Sequence, residues 1–309
     1  MQKVTSFAYA FNMATAVVYR DDLTSADYQV DPAVVYPNVF GYDQFDSNFP
    51  PEEFSCAATL IGPNHAISAA HCFDTSTDEF TVGIGGVEHT VTEVILNPCY
   101  NFKSEEPLSS DIAILVLEEA SAVTPAQVFK SATPESEDEV GEEIHVLGWG
   151  QSGNIGTVNT SNAVVGTFHA GRNIVHDIWN GMVTYTMTSQ ADGGLPLEAM
   201  AWDGDSGGPA FIEVGGELQI AGVNSFGFCC QYDNTDYYTR LGGVSYDWIK
   251  GILDGSPSDP TCSDYPGYGL DVDARYAEDV FDEFDANEDD ELSVNECKNM
   301  FRANGDIFK

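Results

Sequence analysis

Short apolar runs separated by turn residues fill positions 54–250, and this pattern constrains the fold more than any other feature. The clearest runs cover residues 80–84, 91–96, 112–117, 144–147, 182–187 and 218–223, with glycine, asparagine and aspartate between them. Runs of this length are typical of antiparallel sandwiches and barrels. One helix-like segment, residues 244–253, closes the region. The sequence therefore predicts an all-β domain that ends in a helix.

Charge limits the partners of this chain. Its 309 residues include 50 acidic and 11 basic side chains, which gives a formal net charge of −39. A surface this negative repels phosphate backbones and anionic bilayers, so we expect no nucleic-acid partner and no membrane partner. It attracts cations, calcium among them. No apolar run reaches the roughly 18 to 20 residues that a transmembrane helix needs.

Composition divides the chain into three segments. Residues 1–16 predict a cleaved signal or pro segment, because Lys3 precedes an apolar stretch and Ala14-Thr15-Ala16 has the form of a signal-peptidase site. The stretch is short and partly polar, so a weak signal peptide and a sequence lacking its true start both stay open. Residues 17–253 form the predicted all-β domain. Residues 254–309 begin with a linker at 254–260 and continue as an acidic segment with helical stretches at 276–284 and 294–304.

Seven cysteines indicate disulfides and hence an oxidising compartment. They are Cys56, Cys72, Cys99, Cys229, Cys230, Cys262 and Cys297. The odd number leaves at least one thiol unpaired or intermolecular, and no pair has the CxxC spacing of a zinc site. We therefore expect a secreted protein, and the spacing argues against a zinc site.

Three residues far apart in the chain have the chemistry of a nucleophilic site. His71 lies in a Ser-Ala-Ala-His-Cys segment, Asp111 in Ser-Asp-Ile-Ala-Ile-Leu, and Ser206 in Gly-Asp-Ser-Gly-Gly-Pro. Acyl transfer needs a hydroxyl nucleophile, an imidazole base and a carboxylate that fixes the tautomer of the base. Singly, each residue has an ordinary structural interpretation in a core or a turn. The GxSxG spacing around the serine also occurs in α/β-hydrolases, but there the serine comes first, and here the order is His, Asp, Ser.

These segments, in this order, resemble those of the trypsin/chymotrypsin-like serine proteases. Gly-Trp-Gly at 148–150, Asn-Ser-Phe-Gly at 224–227 and Tyr-Thr-Arg-Leu at 238–241 extend the resemblance over residues 17–253. The resemblance implies two packed antiparallel six-stranded β-barrels with the site at their junction. It also implies a catalytic triad of His71 as general base, Asp111 as its orienting partner and Ser206 as nucleophile. The N–H groups of Gly204 and Ser206 would form the oxyanion hole.

The same resemblance assigns supporting roles around the triad. A disulfide is expected between Cys56 and Cys72, beside the histidine. Ser225 is expected to support the buried carboxylate of Asp111. The strand expected to pair with substrate backbone consists of Ser225, Phe226 and Gly227.

The N-terminus departs from the family pattern. By resemblance, Asp205 pairs with the α-amino group of a processed N-terminus, but the sequence has no basic residue followed by Ile-Val-Gly-Gly. Residues 16–22 instead resemble the mature start of the bacterial glutamyl endopeptidases, which favours Val17. Counting back from Cys56 as in trypsins points to Val30.

The predicted specificity pocket also departs from trypsin. Met200, six residues before the serine, takes the position at the pocket base. Asp236 takes a wall position and predicts a preference for Arg or Lys before the cleaved bond, and a solvated loop acid is the alternative. Asn224 replaces the histidine of glutamyl-specific relatives, which disfavours cleavage after Glu. Trp202 replaces a family cysteine, so Cys230 must pair elsewhere or stay free.

An acidic loop at residues 285–296 resembles the EF-hand. Its oxygen-bearing side chains occupy loop positions 1, 3, 5, 9 and 12, with a backbone carbonyl at position 7, which is the pattern that binds Ca²⁺. The predicted ligands are Asp285, Asn287, Asp289, Glu291 through its carbonyl, Ser293 and Glu296. Position 6, normally glycine, is Asp290, which predicts weakened binding. An acidic helix–loop–helix without metal is the alternative.

The sequence thus predicts a secreted serine endopeptidase that acts on peptide or protein substrates and needs no cofactor for its chemistry. Ca²⁺ is expected only in the C-terminal module, which would pack on the protease barrel or on another chain. The alternative is a catalytically inactive homologue acting as a calcium-dependent binding protein. Retention of all three triad residues argues against that alternative.

Overall fold

The structure is a computed structural model that describes residues 17–42, 56–73, 79–101, 107–158 and 166–266. Residues 1–266 form one compact unit and residues 267–309 a second one. The predicted signal or pro segment, residues 1–16, and the predicted calcium ligands from Asp285 to Glu296 lie outside the described residues. Every strand and helix given below belongs to the first unit. None of the described helices is long and apolar enough to cross a bilayer.

Strands dominate the described residues, as the sequence predicts. In chain order they are β1 (Val17–Tyr19), β2 (Val39–Tyr42), β3 (Cys56–Gly62), β4 (His65–Ser68), β5 (Phe80–Ile84), β6 (Val87–Leu96), β7 (Ala113–Leu117), β8 (Gln127–Val128), β9 (Glu143–Gly148), β10 (Ser152–Asn154), β11 (His169–Ile174), β12 (Asp177–Trp179), β13 (Met182–Thr186), β14 (Ala199–Met200), β15 (Pro209–Val214), β16 (Glu217–Gly227) and β17 (Thr235–Arg240). The helices are α1 (Ser25–Tyr28), α2 (Pro32–Val35) and α3 (Ser245–Leu253), and short 3-10 turns lie at Ala70–Cys72, Leu108–Ser110, Gln190–Asp192 and Cys262–Asp264. Each apolar run of the sequence overlaps a strand, and the helix-like segment forms α3.

Six antiparallel strands in the order β2-β3-β4-β7-β6-β5 form the first barrel-like sheet. All seven residues of β3 are buried, whereas β5 buries only Val82 and Ile84. Alternate side chains of a strand point to opposite faces, so β5 presents one apolar face to the core and one polar face to solvent. Trp248, Ile249 and Ile252 of α3 pack into the same core.

The second barrel-like sheet has eight strands, which corrects the predicted six. Seven strands follow the antiparallel order β11-β9-β15-β16-β17-β13-β12, and β8 pairs in parallel with β16. Strands β8 and β12 contain two and three residues, too few for a periodic pattern to reveal them. The sheet has its own core, to which Val183, Tyr185 and Tyr238 belong.

A small third sheet in the order β10-β1-β14 buries the start of the described chain. Strand β1 pairs in parallel with β10 and antiparallel with β14, so that Val18 lies opposite Met200. Both Val17 and Val18 are fully buried. Val17 has a φ of +68°, a left-handed conformation that is uncommon for a β-branched residue.

The chain continues past α3 and attaches to the first sheet again. Residues 254–259 are exposed, in keeping with the predicted linker. Cys262 then forms a disulfide with Cys99, and Tyr265 is buried. The described part of the compact unit therefore includes the residues up to Pro266.

Candidate active site

Neighbouring strands β4 and β7 place two residues of the predicted triad side by side. His71 lies in the 3-10 turn that follows β4, and Asp111 lies just before β7. His71 Nδ1 is 2.7 Å from Asp111 Oδ2, and the backbone N–H of His71 donates to Oδ1 at 2.8 Å. The Asp111 side chain is 1% exposed and the His71 side chain 27%. The carboxylate is thus enclosed, while the imidazole reaches the surface.

Ser225 supplies a further hydrogen bond to this carboxylate. Its hydroxyl donates to Asp111 Oδ2 at 2.6 Å, which is the support that the family resemblance implies. Ser225 belongs to β16 of the second sheet, so the hydrogen bond joins the two sheets at the site. A buried carboxylate is costly unless donors satisfy it. The contacts from both sheets meet that requirement.

Ser206 lies in the turn before β15, and this turn is fixed against the segment that leads to His71. The Ser206 carbonyl accepts a hydrogen bond from the Ala57 N–H at 2.7 Å. Gly207 has a φ of +76°, and a Cβ there would lie only 2.1 Å from Ser68 Oγ. Glycine at this position therefore permits both the backbone conformation and the close approach. The structure places all three predicted triad residues in one region.

The predicted disulfide between Cys56 and Cys72 is present. It joins β3 to the 3-10 turn that carries His71. Since Ala57 follows Cys56 directly, the same stretch of β3 contacts both the serine turn and the histidine turn.

The serine turn leaves two backbone donors for a substrate oxygen. Gly204 has a φ of +91°, a conformation that glycine adopts without steric cost. Backbone hydrogen bonds within the turn use the N–H groups of Asp205 and Gly208. Within the described residues, no acceptor is bonded to the N–H of Gly204 or of Ser206. Two unused amide donors beside a hydroxyl nucleophile can stabilise an oxyanion.

Asp205 is a second buried carboxylate at the site. Its Oδ1 accepts from the Gly150 N–H at 2.8 Å, and its Oδ2 accepts from the Trp202 N–H at 3.0 Å. The backbone N–H of Val17 lies close enough to lower the pKa of this carboxyl slightly. Burial raises the pKa of Asp205 from 3.8 to about 7, although these backbone donors oppose the shift.

Val17, rather than Val30, is the residue that reaches Asp205. Val17 lies in the buried strand β1, whereas Val30 is only half-buried and lies outside that strand. The Gly-Trp-Gly motif leaves room for the carboxylate, because a Cβ at Gly148 would lie 1.9 Å from Asp205 Oδ1. The position of β1 therefore favours Val17, and the mature N-terminus stays a prediction.

Asp236 is also buried, with 2% exposure, which overturns the alternative of a solvated loop acid. Its Oδ2 accepts from the Tyr185 hydroxyl and from the Ala201 N–H, both at 2.7 Å. Burial, and to a smaller extent the charge of Asp205, raises the pKa of Asp236 from 3.8 to about 7, although the hydrogen bonds from Tyr185 and Ala201 oppose the shift. A Cβ at Gly227 would lie 1.9 Å from Asp236 Oδ1, so this oxygen lies against the strand predicted to bind substrate.

Consecutive peptide groups connect the two buried acids. The N–H of Ala201 donates to Asp236, and the N–H of the next residue, Trp202, donates to Asp205. Met200, the residue before them, is fully buried in β14 and packs in the core of the second sheet. Its side chain therefore contributes to the core beneath the predicted pocket.

The end of β16 offers an edge for an extended peptide. Pairing between β15 and β16 ends where Pro209 lies opposite Val223, whereas pairing with β17 continues to Gly227. Among the described strands, Ser225, Phe226 and Gly227 thus have a neighbour on one side only. An extended peptide can add to such an edge through backbone hydrogen bonds. Phe226 stacks on Tyr237 with ring centroids 4.4 Å apart.

Two disulfides near the site were left open by the sequence. Cys229 and Cys230 form a disulfide with each other, just beyond the substrate strand. Cys99 and Cys262, 163 residues apart, form the other. The order of cysteines along a chain does not determine connectivity, so neither pairing carried a sequence signal.

Comparisons with known proteins agree with this arrangement. The family described as Trypsin matches residues 41–249. Human kallikrein-15 is 31% identical over 220 residues, which are 64% of this chain and 80% of that protein. Human kallikrein-8 is 29% identical over 224 residues, 66% of this chain and 79% of that protein.

Other relatives are longer than this chain. Vitamin K-dependent protein C of rat is 26% identical over 222 residues, which are 65% of this chain but 47% of that protein. The chain thus spans about half the length of this relative. Among solved structures, neuropsin, a serine protease of mouse brain, aligns with a TM-score of 0.56 and 22% identity over 74% of this chain and 98% of that chain. At this identity the likeness shows a common fold.

Proposed function

This chain belongs to the trypsin family of serine proteases, and we propose that it is an active endopeptidase whose triad consists of His71, Asp111 and Ser206. The observation that carries the proposal is the hydrogen-bonded series from Ser225 through Asp111 to His71. The serine turn is held by the N–H of Ala57 in β3, the strand that the Cys56–Cys72 disulfide joins to the turn of His71. Substrates are then peptides or proteins.

The proposed reaction proceeds by acyl transfer. Asp111 holds Nδ1 of His71, so that Nε2 accepts the proton of the Ser206 hydroxyl as the serine oxygen bonds to the substrate carbonyl carbon. The carbonyl oxygen becomes an oxyanion, and the N–H groups of Gly204 and Ser206 bind it, each contributing about 3 to 4 kcal/mol. The imidazolium gives its proton to the leaving amine as the C–N bond breaks. Water then attacks the acyl-enzyme by the same route and restores the serine.

Asp236 supports a preference for Arg or Lys before the cleaved bond. Its carboxylate is buried beside Gly227, and burial disfavours its charge unless a cationic partner is present. An Arg or Lys side chain of the substrate would be that partner. Oδ2 of Asp236 already accepts hydrogen bonds from the Tyr185 hydroxyl and the Ala201 N–H. These two contacts fix the orientation of the carboxylate and hence the direction in which Oδ1 points.

Cleavage before Val17 is the proposed activation step. Val17 is buried, and its backbone N–H lies close enough to Asp205 to lower the pKa of that carboxyl. After cleavage, the same nitrogen would carry a positive charge, and the buried carboxylate would gain an ionic partner. Residues 16–22 support the proposal by their resemblance to the mature start of glutamyl endopeptidases.

Secretion and calcium binding are further parts of the proposal. Secretion is supported by three disulfides among the described residues, which an oxidising compartment maintains. Calcium binding is supported by the ligand pattern from Asp285 to Glu296. Binding by the full chain is measured by calorimetric titration, with Glu296→Gln as the matched control that removes the bidentate ligand. Equal heats for both proteins would show that this loop is not the site.

Activity is tested with a chain that begins at Val17, released from a cleavable fusion. A fluorophosphonate probe should label this protein once and should not label Ser206→Ala. Hydrolysis of a peptide library should fall by about 10³-fold or more in the Ser206→Ala variant. A folded protein that is neither labelled nor hydrolytic would contradict the proposal and favour the inactive binding protein. Equal cleavage after Phe and after Arg would contradict the role of Asp236.

A further inference from the structure

The segment that follows α3 holds the loop that leads to Asp111 at two points. This loop connects β6 to β7, and Cys99, three residues after β6, forms a disulfide with Cys262. At the other end of the loop, the Ser109 hydroxyl donates to the Pro266 carbonyl at 2.7 Å. Ser109 lies two residues before Asp111. The segment 262–266 is therefore attached at one end to Cys99 and at the other to Ser109, near Asp111.

Tyr265 lies between these two attachments and reaches the interior. Its side chain is 2% exposed, and its hydroxyl accepts a hydrogen bond from Asn97 Nδ2 at 2.7 Å. The backbone N–H of Asn97 donates to the Ile112 carbonyl at 3.0 Å. Ile112 directly follows Asp111, so Asn97 connects Tyr265 to the backbone next to the carboxylate.

Hydrogen bonds within residues 107–111 couple the position of Asp111 to the positions of the adjacent loop residues. The Asp111 N–H donates to the Leu108 carbonyl at 3.1 Å, and the Ser110 N–H donates to the Pro107 carbonyl at 2.8 Å. The Thr239 hydroxyl donates to the same Leu108 carbonyl at 2.9 Å, which ties this turn to β17. A turn closed in this way moves as a unit, so contacts at Ser109 and Ile112 bear on the carboxylate between them.

We propose that residues 262–266 are a positioning element that holds the Asp111 carboxylate in register with His71. The inference rests on the proposed triad. Tyr265 and Cys262 contact no reacting atom, and they act through Asn97, Ser109 and the disulfide to Cys99. Misplacement of a catalytic group by about 1 Å can lower a rate about 10²-fold, so partial release of this loop should be measurable.

Two variants test the positioning element in the chain that begins at Val17. Tyr265→Phe removes the hydroxyl and keeps the ring, and we expect kcat to fall about 3- to 10-fold with KM nearly unchanged. We also expect the acidic limb of the kcat/KM profile to move to lower pH, because a displaced carboxylate stabilises the imidazolium less. The double variant Cys99→Ser, Cys262→Ser should change both quantities in the same direction and by more.

Tyr36→Phe is the matched control. Tyr36 is also buried, and its hydroxyl lies 2.8 Å from His145 Nδ1, so the variant loses an equivalent contact away from the Asp111 loop. Fluorophosphonate labelling gives the active fraction, so that kcat refers to folded enzyme only. We expect Tyr36→Phe to keep the wild-type kcat and pH profile.

The outcomes separate the inference from the proposed function. A labelled Tyr265→Phe protein with wild-type kcat and an unmoved acidic limb would overturn the positioning role. Equal effects in Tyr36→Phe would do the same, since they would reflect general loosening. If the double cysteine variant does not fold, Tyr265→Phe decides alone. A wild-type protein that the probe does not label overturns the proposed triad, and the inference with it.

Discussion

The buried carboxyl of Asp205 should make the unprocessed chain less stable as pH rises. Burial raises its pKa from 3.8 to about 7 in the folded chain. Between these two values, the unfolded chain has released the proton and the folded chain still binds it. Raising the pH through this window therefore favours the unfolded state. The slope is about 1.4 kcal/mol per pH unit, so a window of about three units lowers the free energy of unfolding by about 4 kcal/mol.

Urea denaturation between pH 4 and pH 8 measures this effect. The full chain carries Ser206→Ala to prevent self-cleavage, and it is compared with the same chain carrying Asp205→Asn. The amide does not titrate, and groups that do not interact with Asp205 contribute equally to both proteins and cancel in the difference. We expect the stability of the aspartate form relative to the asparagine form to fall by about 4 kcal/mol from pH 4 to pH 7 and then to stay level.

Parallel stability curves for the two chains would refute the reasoning, because Asp205 would then titrate alike in both states. A chain that begins at Val17 supplies the second comparison. Its α-amino group should pair with the carboxylate, favour the charged form and shrink or abolish the fall. An unchanged fall in that chain would show that the new N-terminus does not reach Asp205.

Three further predictions concern single residues. Asp236→Asn should lower kcat/KM for Arg and Lys substrates about 30- to 1,000-fold and leave apolar substrates nearly unaffected, and a uniform loss in a substrate panel would contradict a pocket role. Gly207→Ala should lower the rate of fluorophosphonate labelling about 100-fold or more, because the Cβ of the alanine would lie 2.1 Å from Ser68 Oγ. Labelling at the wild-type rate would contradict the close approach. Glu139→Gln should lower the free energy of unfolding in urea by about 3 to 5 kcal/mol, because it leaves the buried Arg240 without its charge partner. In the wild-type protein, Arg240 Nε is 2.8 Å from Glu139 Oε1. A loss below about 1 kcal/mol would contradict the importance of this pair.

The sequence predicts those parts of the fold and site that local pattern determines. Alternation and turn residues locate the long strands, since burial of one face imposes a period of two. Chain order separates the triad from the α/β-hydrolase elbow.

Features that depend on distant parts of the chain are not predictable in this way. Asp236 lies in a polar stretch that looks solvated, and only the packing of Tyr185 and Ala201 around it shows that it is buried. The choice of Val17 over Val30 depends on which segment fits between β10 and β14. The pairing of Cys99 with Cys262 depends on the return of the chain after α3.

The adjoining amides of Ala201 and Trp202 have a consequence for anyone who redesigns this protein. Two consecutive peptide groups, joined at the Cα of Ala201, anchor the acid proposed to recognise substrate and the acid proposed to recognise the new chain end. A change in the backbone angles of Ala201 to suit a different side chain would disturb both contacts together. Selectivity and maturation would therefore be difficult to alter separately, and a variant chosen for a new cleavage preference should be checked for its ability to mature.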